Sequence, residues 1–192
     1  MKLKPIDITL AAVFAALMAV GANLTSMIVI GSVPITLQTF FSVLAGLILG
    51  SRLGAISMTV YALIGLAGVP VFAGFSGGFG MLMKPTFGFI LSFILVAYVA
   101  GKIVEKSNSK QRFVIAALVG MAINYIAGTN WMYMALVTWL EAPEGFSYAM
   151  AWGWMVAPLP KDLILSVLAG LFAPRLLRTI SKTTRTFSNK AA

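Results

Sequence analysis

Apolar residues run through this chain in long blocks, broken by short polar or glycine-rich interruptions. A helix crossing a bilayer needs about 20 mostly apolar residues, and the first block, Ile8–Met27, meets that length. A Gly31-Ser32-Val33-Pro34 break follows, then a second block over Leu37–Gly50. Ser51-Arg52-Leu53-Gly54 reads as a tight polar turn into a third block, Ala55–Leu66. These two blocks are short for a full crossing, which points to tilt, a kink or a partial crossing in one of them. The glycine-rich segment Gly68–Pro85 leads into a fourth block, Thr86–Val104, and the polar, basic segment Glu105–Arg112 into a fifth, Phe113–Leu140. The loop Glu141–Gly153 precedes a sixth block, Pro158–Leu177, which ends in a basic tail. Barrel strands alternate with period two, and these blocks are too long and continuous for that. Lipid offers the backbone no hydrogen bonds, so helices are the remaining solution. The pattern predicts an all-α membrane protein, one domain over residues 1–192, with six transmembrane helices.

Composition agrees: 60% of the 192 residues are hydrophobic and 10% charged, against about a quarter charged in soluble domains. With no Cys and no His, disulfides, thiol nucleophiles, imidazole acid/base chemistry and His or Cys metal sites are excluded. The net charge of +9 is unevenly placed. On the six-helix map, twelve of the 14 Lys and Arg fall on the side of the N-terminus: Lys2, Lys4, Arg52, Lys102, Lys106, Lys110, Arg112, Arg175, Arg178, Lys182, Arg185 and Lys190. The opposite side holds Lys84 and Lys161. An excess of Lys and Arg marks the cytoplasmic side, so both termini are expected there, and the basic tail needs no nucleic-acid partner. Met1-Lys2-Leu3-Lys4-Pro5 before an apolar run superficially looks like a leader. The length of that run and the blocks behind it make it the first helix instead.

Small residues recur along the first block, with Ala11, Ala15 and Ala19 beside Ala12 and Ala16. Residues four apart share a helix face, and a small-residue stripe lets another helix approach closely in lipid. The stripe serves either a partner protein or packing within the chain. No internal repeat of the inverted-repeat transporter kind is visible.

Candidate chemistry gathers on the outer side. The segment Val69–Thr86 alternates Phe72, Phe75 and Phe79 with Gly74, Gly77 and Gly78, and carries Ser76. It lacks the Gly-Lys-Ser/Thr ending of a phosphate-binding loop. Two readings fit it: a lid, whose glycines allow close backbone approach to a ligand, or an interfacial loop with aromatics at headgroup level. Asp162, after Pro158-Leu159-Pro160-Lys161, either caps a helix start or accepts hydrogen bonds from a ligand's N–H groups. Gln38, Asn124, Asn130 and Asn23 are amides in or near apolar blocks, where polar groups face a bundle interior or a cavity. An acid/base pair is missing, so no catalytic residue is assigned, and transport would draw its energy from a partner.

Taken together, these segments identify a family resemblance. Val33-Pro34-Ile35-Thr36-Leu37-Gln38-Thr39, Leu44–Gly54, Gly68-Val69-Pro70-Val71-Phe72-Ala73-Gly74, Gly77-Gly78, Pro85-Thr86 and Pro158-Leu159-Pro160-Lys161-Asp162 resemble the BioY family, the biotin-specific S components of energy-coupling factor (ECF) transporters. The similarity runs over most of the chain. It implies a six-helix subunit in the cell (inner) membrane that captures biotin from outside, without cofactor, metal or ATPase of its own. It also implies association with a transmembrane coupling subunit and two cytoplasmic ATPase subunits, docked through the Ala11, Ala12, Ala15, Ala16 and Ala19 stripe. In that reading Asp162, Asn124 and Gln38 meet the ureido ring, and Phe72, Phe75 and Tyr125 meet the apolar ring and chain. Lys84 and Lys161 are the cations available to the carboxylate, and Gly74, Ser76, Gly77 and Gly78 form the loop. The chain departs from the family at Lys84-Pro85-Thr86-Phe87-Gly88-Phe89, where Gly-Pro-Thr-Gly-Gly-Tyr is common. It departs again at Lys161, which precedes Asp162, with Leu165 where a lysine is common. The competing expectations are an S component for thiamine or riboflavin, and a membrane enzyme or scaffold.

Overall fold

The computed structural model describes residues 4–106 and 109–190, with side chains through residue 180. Its helices are α1 (Pro5–Asn23), α2 (Gln38–Leu66), α3 (Phe87–Val104), α4 (Lys110–Thr138), α5 (Tyr148–Val156) and α6 (Leu159–Lys190). A two-residue hairpin, β1 (Val29–Ile30) with β2 (Val33–Pro34), lies between α1 and α2, and a 3-10 turn spans Phe79–Met83. Among the described residues five helices are long and apolar enough to cross a bilayer, α6 qualifying through Leu159–Ile180. The exception is α5, at nine residues.

Local chemistry sets the helix starts. Pro5 occupies the first turn of α1, where a missing N–H costs nothing, and Asp7 accepts the Lys4 N–H at 2.9 Å. Ser109 and Ser147 cap α4 and α5 by accepting N–H groups from Arg112 and Met150. At its far end α1 stops at Asn23, four residues before the expected end at Met27, and the chain turns into the hairpin.

The 29 residues of α2 would make a straight rod about 44 Å long. Gln38 Nε2 nevertheless donates to Tyr61 Oη at 2.8 Å, although 23 residues of straight helix would separate them by about 35 Å. The chain therefore folds back inside the element, and the reversal is at Gly50, with φ 79° and ψ 178°. That conformation is essentially restricted to glycine. The expected pair of short blocks is thus found as two antiparallel limbs. The break is at Gly50 rather than across Ser51–Gly54, because Ser51 is already the start of the returning helix. Glu105, just past α3, receives that start: its Oε1 accepts the Ser51 N–H at 2.8 Å and the Ser51 hydroxyl at 2.7 Å. The hydroxyl and N–H bonds draw the Glu105 carboxyl below its usual range.

Small residues bring the limbs and α3 together. A Cβ on Gly46 would overlap the Ala97 backbone, and one on Gly101 would overlap the Gly50–Ser51 backbone, the close approach that lipid-embedded helices use. The returning limb also touches α1, where Ser57 Oγ donates to Ala11 O at 2.6 Å. The alanine stripe of α1 is split by this contact. Ala11 and Ala15 are buried and Ala19 half-buried, whereas Ala12 and Ala16 are exposed. Long apolar side chains such as Leu95, Ile126, Ile164 and Phe172 point outward, as they do when lipid is the solvent.

The bundle has two unlike ends. One carries the start of α1, the Gly50 reversal, Glu105 and the start of α4, and with them Lys4, Arg52, Lys102, Lys106, Lys110 and Arg112. Arg175 and Arg178 follow toward the same end on α6. Lys2 lies outside the described residues, as do the side chains of Lys182, Arg185 and Lys190. The other end holds the hairpin, the 67–86 loop and the start of α6, with Lys84 and Lys161.

Two outcomes test this account of the reversal. Gly50→Ala should cost about 1–3 kcal/mol through its backbone conformation, read as a lower thermal midpoint in detergent. Glu105 has a lowered folded pKa, so its contribution is present above the unfolded carboxyl value of about 4.3 and is lost as pH falls through the lower folded value. The midpoint of Glu105→Ala should therefore lie below wild type at pH 7, and the gap should close in acid below that window.

Candidate functional site

The end with few cations contains a cavity of about 340 Å³, within the range of roughly 300–1,000 Å³ common for small-molecule sites. Its carboxylate and its two amides come from α6, α2 and α4. Asp162, in the first turn of α6, is 4% exposed. Its Oδ2 accepts the Tyr125 hydroxyl of α4 at 2.8 Å, and its Oδ1 accepts Lys161 Nζ at 2.6 Å. Neither partner is a helix N–H, so the carboxylate is engaged across the bundle and not as a cap. Lys161 also donates to Thr36 O, which ties the start of α6 to the approach to α2.

Gln38 opens α2, where the returning limb supplies its partner. Its Nε2 donates to Tyr61 Oη, which donates onward to Val71 O at 3.0 Å, and its Oε1 accepts Thr36 Oγ1 at 3.1 Å. Asn124 Nδ2 donates to Ser92 Oγ of α3 at 2.7 Å, and its Oδ1 accepts Thr39 Oγ1 at 3.2 Å. Each amide thus holds one defined orientation. Each NH₂ keeps a second hydrogen, and each of these residues lines the cavity. Asp162 keeps unused lone pairs on both oxygens. The cavity therefore offers carboxylate acceptors beside amide donors within apolar walls that include Phe89, Ile90, Phe93 and Met155.

The glycine-rich loop contributes through Phe72, which is 1% exposed and sits edge-on to Tyr61 at 5.4 Å between ring centroids. Phe72 and Ser76 exchange backbone hydrogen bonds at 3.0 and 3.2 Å, closing a tight turn through Gly74 (φ 71°) and Phe75 (φ 52°). Positive φ is uncommon for a non-glycine residue. Here Asn23 Oδ1 helps hold it by accepting the Phe75 N–H at 2.7 Å.

Of the residues singled out from the sequence, Gln38, Phe72, Gly74, Ser76, Lys84, Asn124, Tyr125, Lys161 and Asp162 line this cavity. Phe75, Gly77 and Gly78 do not. Phe75 is 72% exposed and Phe79 74%, so two of the three rings expected in a lid face outward while Phe72 faces in. Gly78 N–H instead bonds Gly65 O at 2.7 Å, pinning the loop to the end of α2. Asn130 bonds Ile126 O on its own helix and Tyr148 at the surface. Sequence reading missed the supporting hydroxyls of Thr39, Tyr61 and Ser92. The available signal was their polarity inside apolar blocks; Ser92 is the one serine of the fourth block.

A model of the BioY family matches residues 1–182. The chain belongs to the BioY family. BioYB of Bacillus subtilis is 47% identical to it over 188 residues, 95% of this chain and 93% of the relative. A BioY protein of Pyrococcus horikoshii is 38% identical over 174 residues, 91% and 98% of the two chains. The biotin transporter BioY of Thermotoga maritima is 41% identical over 118 residues, 62% and 69% of the two chains. Among solved structures, the S-component for biotin from an ECF-type ABC transporter superposes with a TM-score of 0.78 at 21% identity, covering 92% of this chain and 95% of that one. At that identity the likeness concerns the fold. With its apolar helices, this BioY protein is a multi-pass protein of the cell membrane.

The hydroxyl of Tyr125 should matter to the BioY cavity even without ligand. Tyr125→Phe withdraws a donor from a buried carboxylate, a loss of about 1–3 kcal/mol. The thermal midpoint should fall accordingly, while Tyr98→Phe, at an exposed position, should leave it in place.

Proposed function

We propose that this protein captures biotin from the outer side of the cell membrane, as the substrate-binding subunit of an ECF-type transporter. The observation that carries the reading is a buried carboxylate, Asp162, facing a cavity beside two oriented amides, Asn124 and Gln38. A cyclic urea presents two N–H donors and one carbonyl acceptor, the complement of that set. Membership of a family whose relatives carry biotin-transporter names supports the same ligand.

In this reading the chain crosses the membrane six times, the two limbs of α2 each counting as one pass, with both termini in the cytoplasm. The gathering of cations at the end opposite the cavity supports that orientation through the positive-inside rule. Phe72 and Tyr125 bound the apolar part of the ligand, and Gly74 and Ser76 close the loop over it. Gly77, Gly78 and Phe75 act from behind, by holding the loop. A cationic thiamine would meet the Lys84 ammonium unfavourably.

The subunit binds and does not catalyse; ATP hydrolysis belongs to two cytoplasmic ATPase subunits, coupled through a transmembrane partner. Exposed Ala12 and Ala16 form the docking stripe, because small side chains allow close helix approach in lipid. Ala11, Ala15 and Ala19 pack within the chain and set that face.

Calorimetric titration of the purified protein with biotin, thiamine and riboflavin tests the reading. Biotin alone should bind tightly at one site per chain, and Asp162→Ala should weaken it by about 2–5 kcal/mol while the protein remains folded. Heat only with another vitamin would overturn the specificity, and silence with all three would overturn the capture role. Ala12→Leu and Ala16→Leu should abolish co-purification with the coupling subunit while leaving biotin affinity unchanged; joint loss of both would assign the stripe to internal packing.

A further inference from the structure

Two cations border the cavity, and they are not equivalent. Lys161 already spends two of its three N–H groups, one on Thr36 O and one on Asp162 Oδ1 at 2.6 Å. Its charge is neutralised in contact with Asp162, and a second carboxylate brought to it would sit against the Asp162 carboxylate, a repulsion that grows as water is excluded. Lys84 differs on each count. It follows the 3-10 turn Phe79–Met83, is exposed, and lines the cavity from its rim. Its backbone is fixed, with its N–H on Met81 O and its carbonyl accepting Trp131 Nε1 at 3.4 Å. Among the described residues its ammonium has no hydrogen bond or ion pair, so its three donors are available to a ligand.

The burial of the polar groups orders the cavity in depth. Asp162, Asn124 and Gln38 are 4%, 2% and 6% exposed, so the group that satisfies them lies deep, and Lys84 stands where the rest of the ligand emerges. Resting on the biotin reading above, we infer that Lys84 binds the ligand carboxylate at the cavity rim and sets the preference for the free acid over neutral derivatives. Lys161 is a positioning residue, which orients Asp162 through their 2.6 Å contact. The ring system enters first and the acid end remains at the mouth.

The test compares biotin with biotinamide, which has the same ring system and chain but no charge. Titrations are run on the wild type, Lys84→Ala, Lys84→Arg and Lys161→Ala. For an accessible charge-assisted contact the wild type should prefer the acid by roughly three- to tenfold. Lys84→Ala should bring the ratio to about one, and Lys84→Arg should restore it. Raised salt should shrink the preference. Lys161→Ala should weaken both ligands together and keep the ratio. A preference that survives Lys84→Ala, or one abolished by Lys161→Ala, would overturn the assignment, as would equal wild-type affinity for both ligands; in those cases biotin capture itself stands. Wild-type protein that binds neither ligand would overturn the capture reading and this inference with it.

Discussion

A carboxylate inside an apolar bundle stays charged only where hydrogen bonds and an opposite charge replace the water it has lost. Asp162 has both, from a tyrosine on α4 and from its own neighbour Lys161, which is itself moored to the carbonyl of Thr36. Three distant parts of the chain therefore meet at one group: the approach to α2, the middle of α4 and the start of α6. The same residue lines the cavity and keeps lone pairs that those two bonds do not use. A satisfied structural ion pair would be equally stable buried among its partners; this one borders an open volume.

The other polar partners reach the cavity only because α2 reverses. Gln38 and Tyr61 belong to opposite limbs, and without the Gly50 break they would stand at opposite ends of a long helix. Close packing at Gly46 and Gly101 then sets α3 against those limbs, which places Ser92 where it can orient Asn124. Backbone economy at one end of the bundle and side-chain chemistry at the other are thus linked through the two limbs. Glu105 supports the reversal from the solvent side, where its bonds to Ser51 draw its carboxyl below the usual range.

Much of this was legible in the sequence, and the failures have physical causes. Long apolar blocks mark α1, α3, α4 and α6, because lipid rewards continuous hydrophobicity and gives no other cue. Boundaries were less clear. Met27 was expected in the first helix and lies past its end, since Asn23 turns its side chain to Ala19 O and to the Phe75 N–H. Polarity places the break in α2 on Ser51–Gly54, whereas the chain turns at Gly50, because the reversal needs a positive φ and not polarity. α5 begins inside the Glu141–Gly153 loop and runs past it to Val156, too short and too rich in aromatics to stand out as a block. For the cavity, motif likeness points to Asp162 and the loop glycines, but periodicity cannot tell Phe72 from Phe75. Their separation into buried and exposed rings depends on a three-residue turn with two positive φ angles. Tyr61 and Ser92 act through other side chains and Thr39 both supports Asn124 and lines the cavity; their polarity inside apolar blocks marks them without saying which side chain each one holds.

The most direct test of the central claim is an experimental structure of the protein with biotin bound. The account predicts ureido nitrogens at hydrogen-bond distance, about 2.7–3.2 Å, from the Asp162 carboxylate, with Asn124 and Gln38 beside the ring. A ligand whose ring system lies at the cavity mouth, leaving Asp162 bonded only to Tyr125 and Lys161, would contradict it.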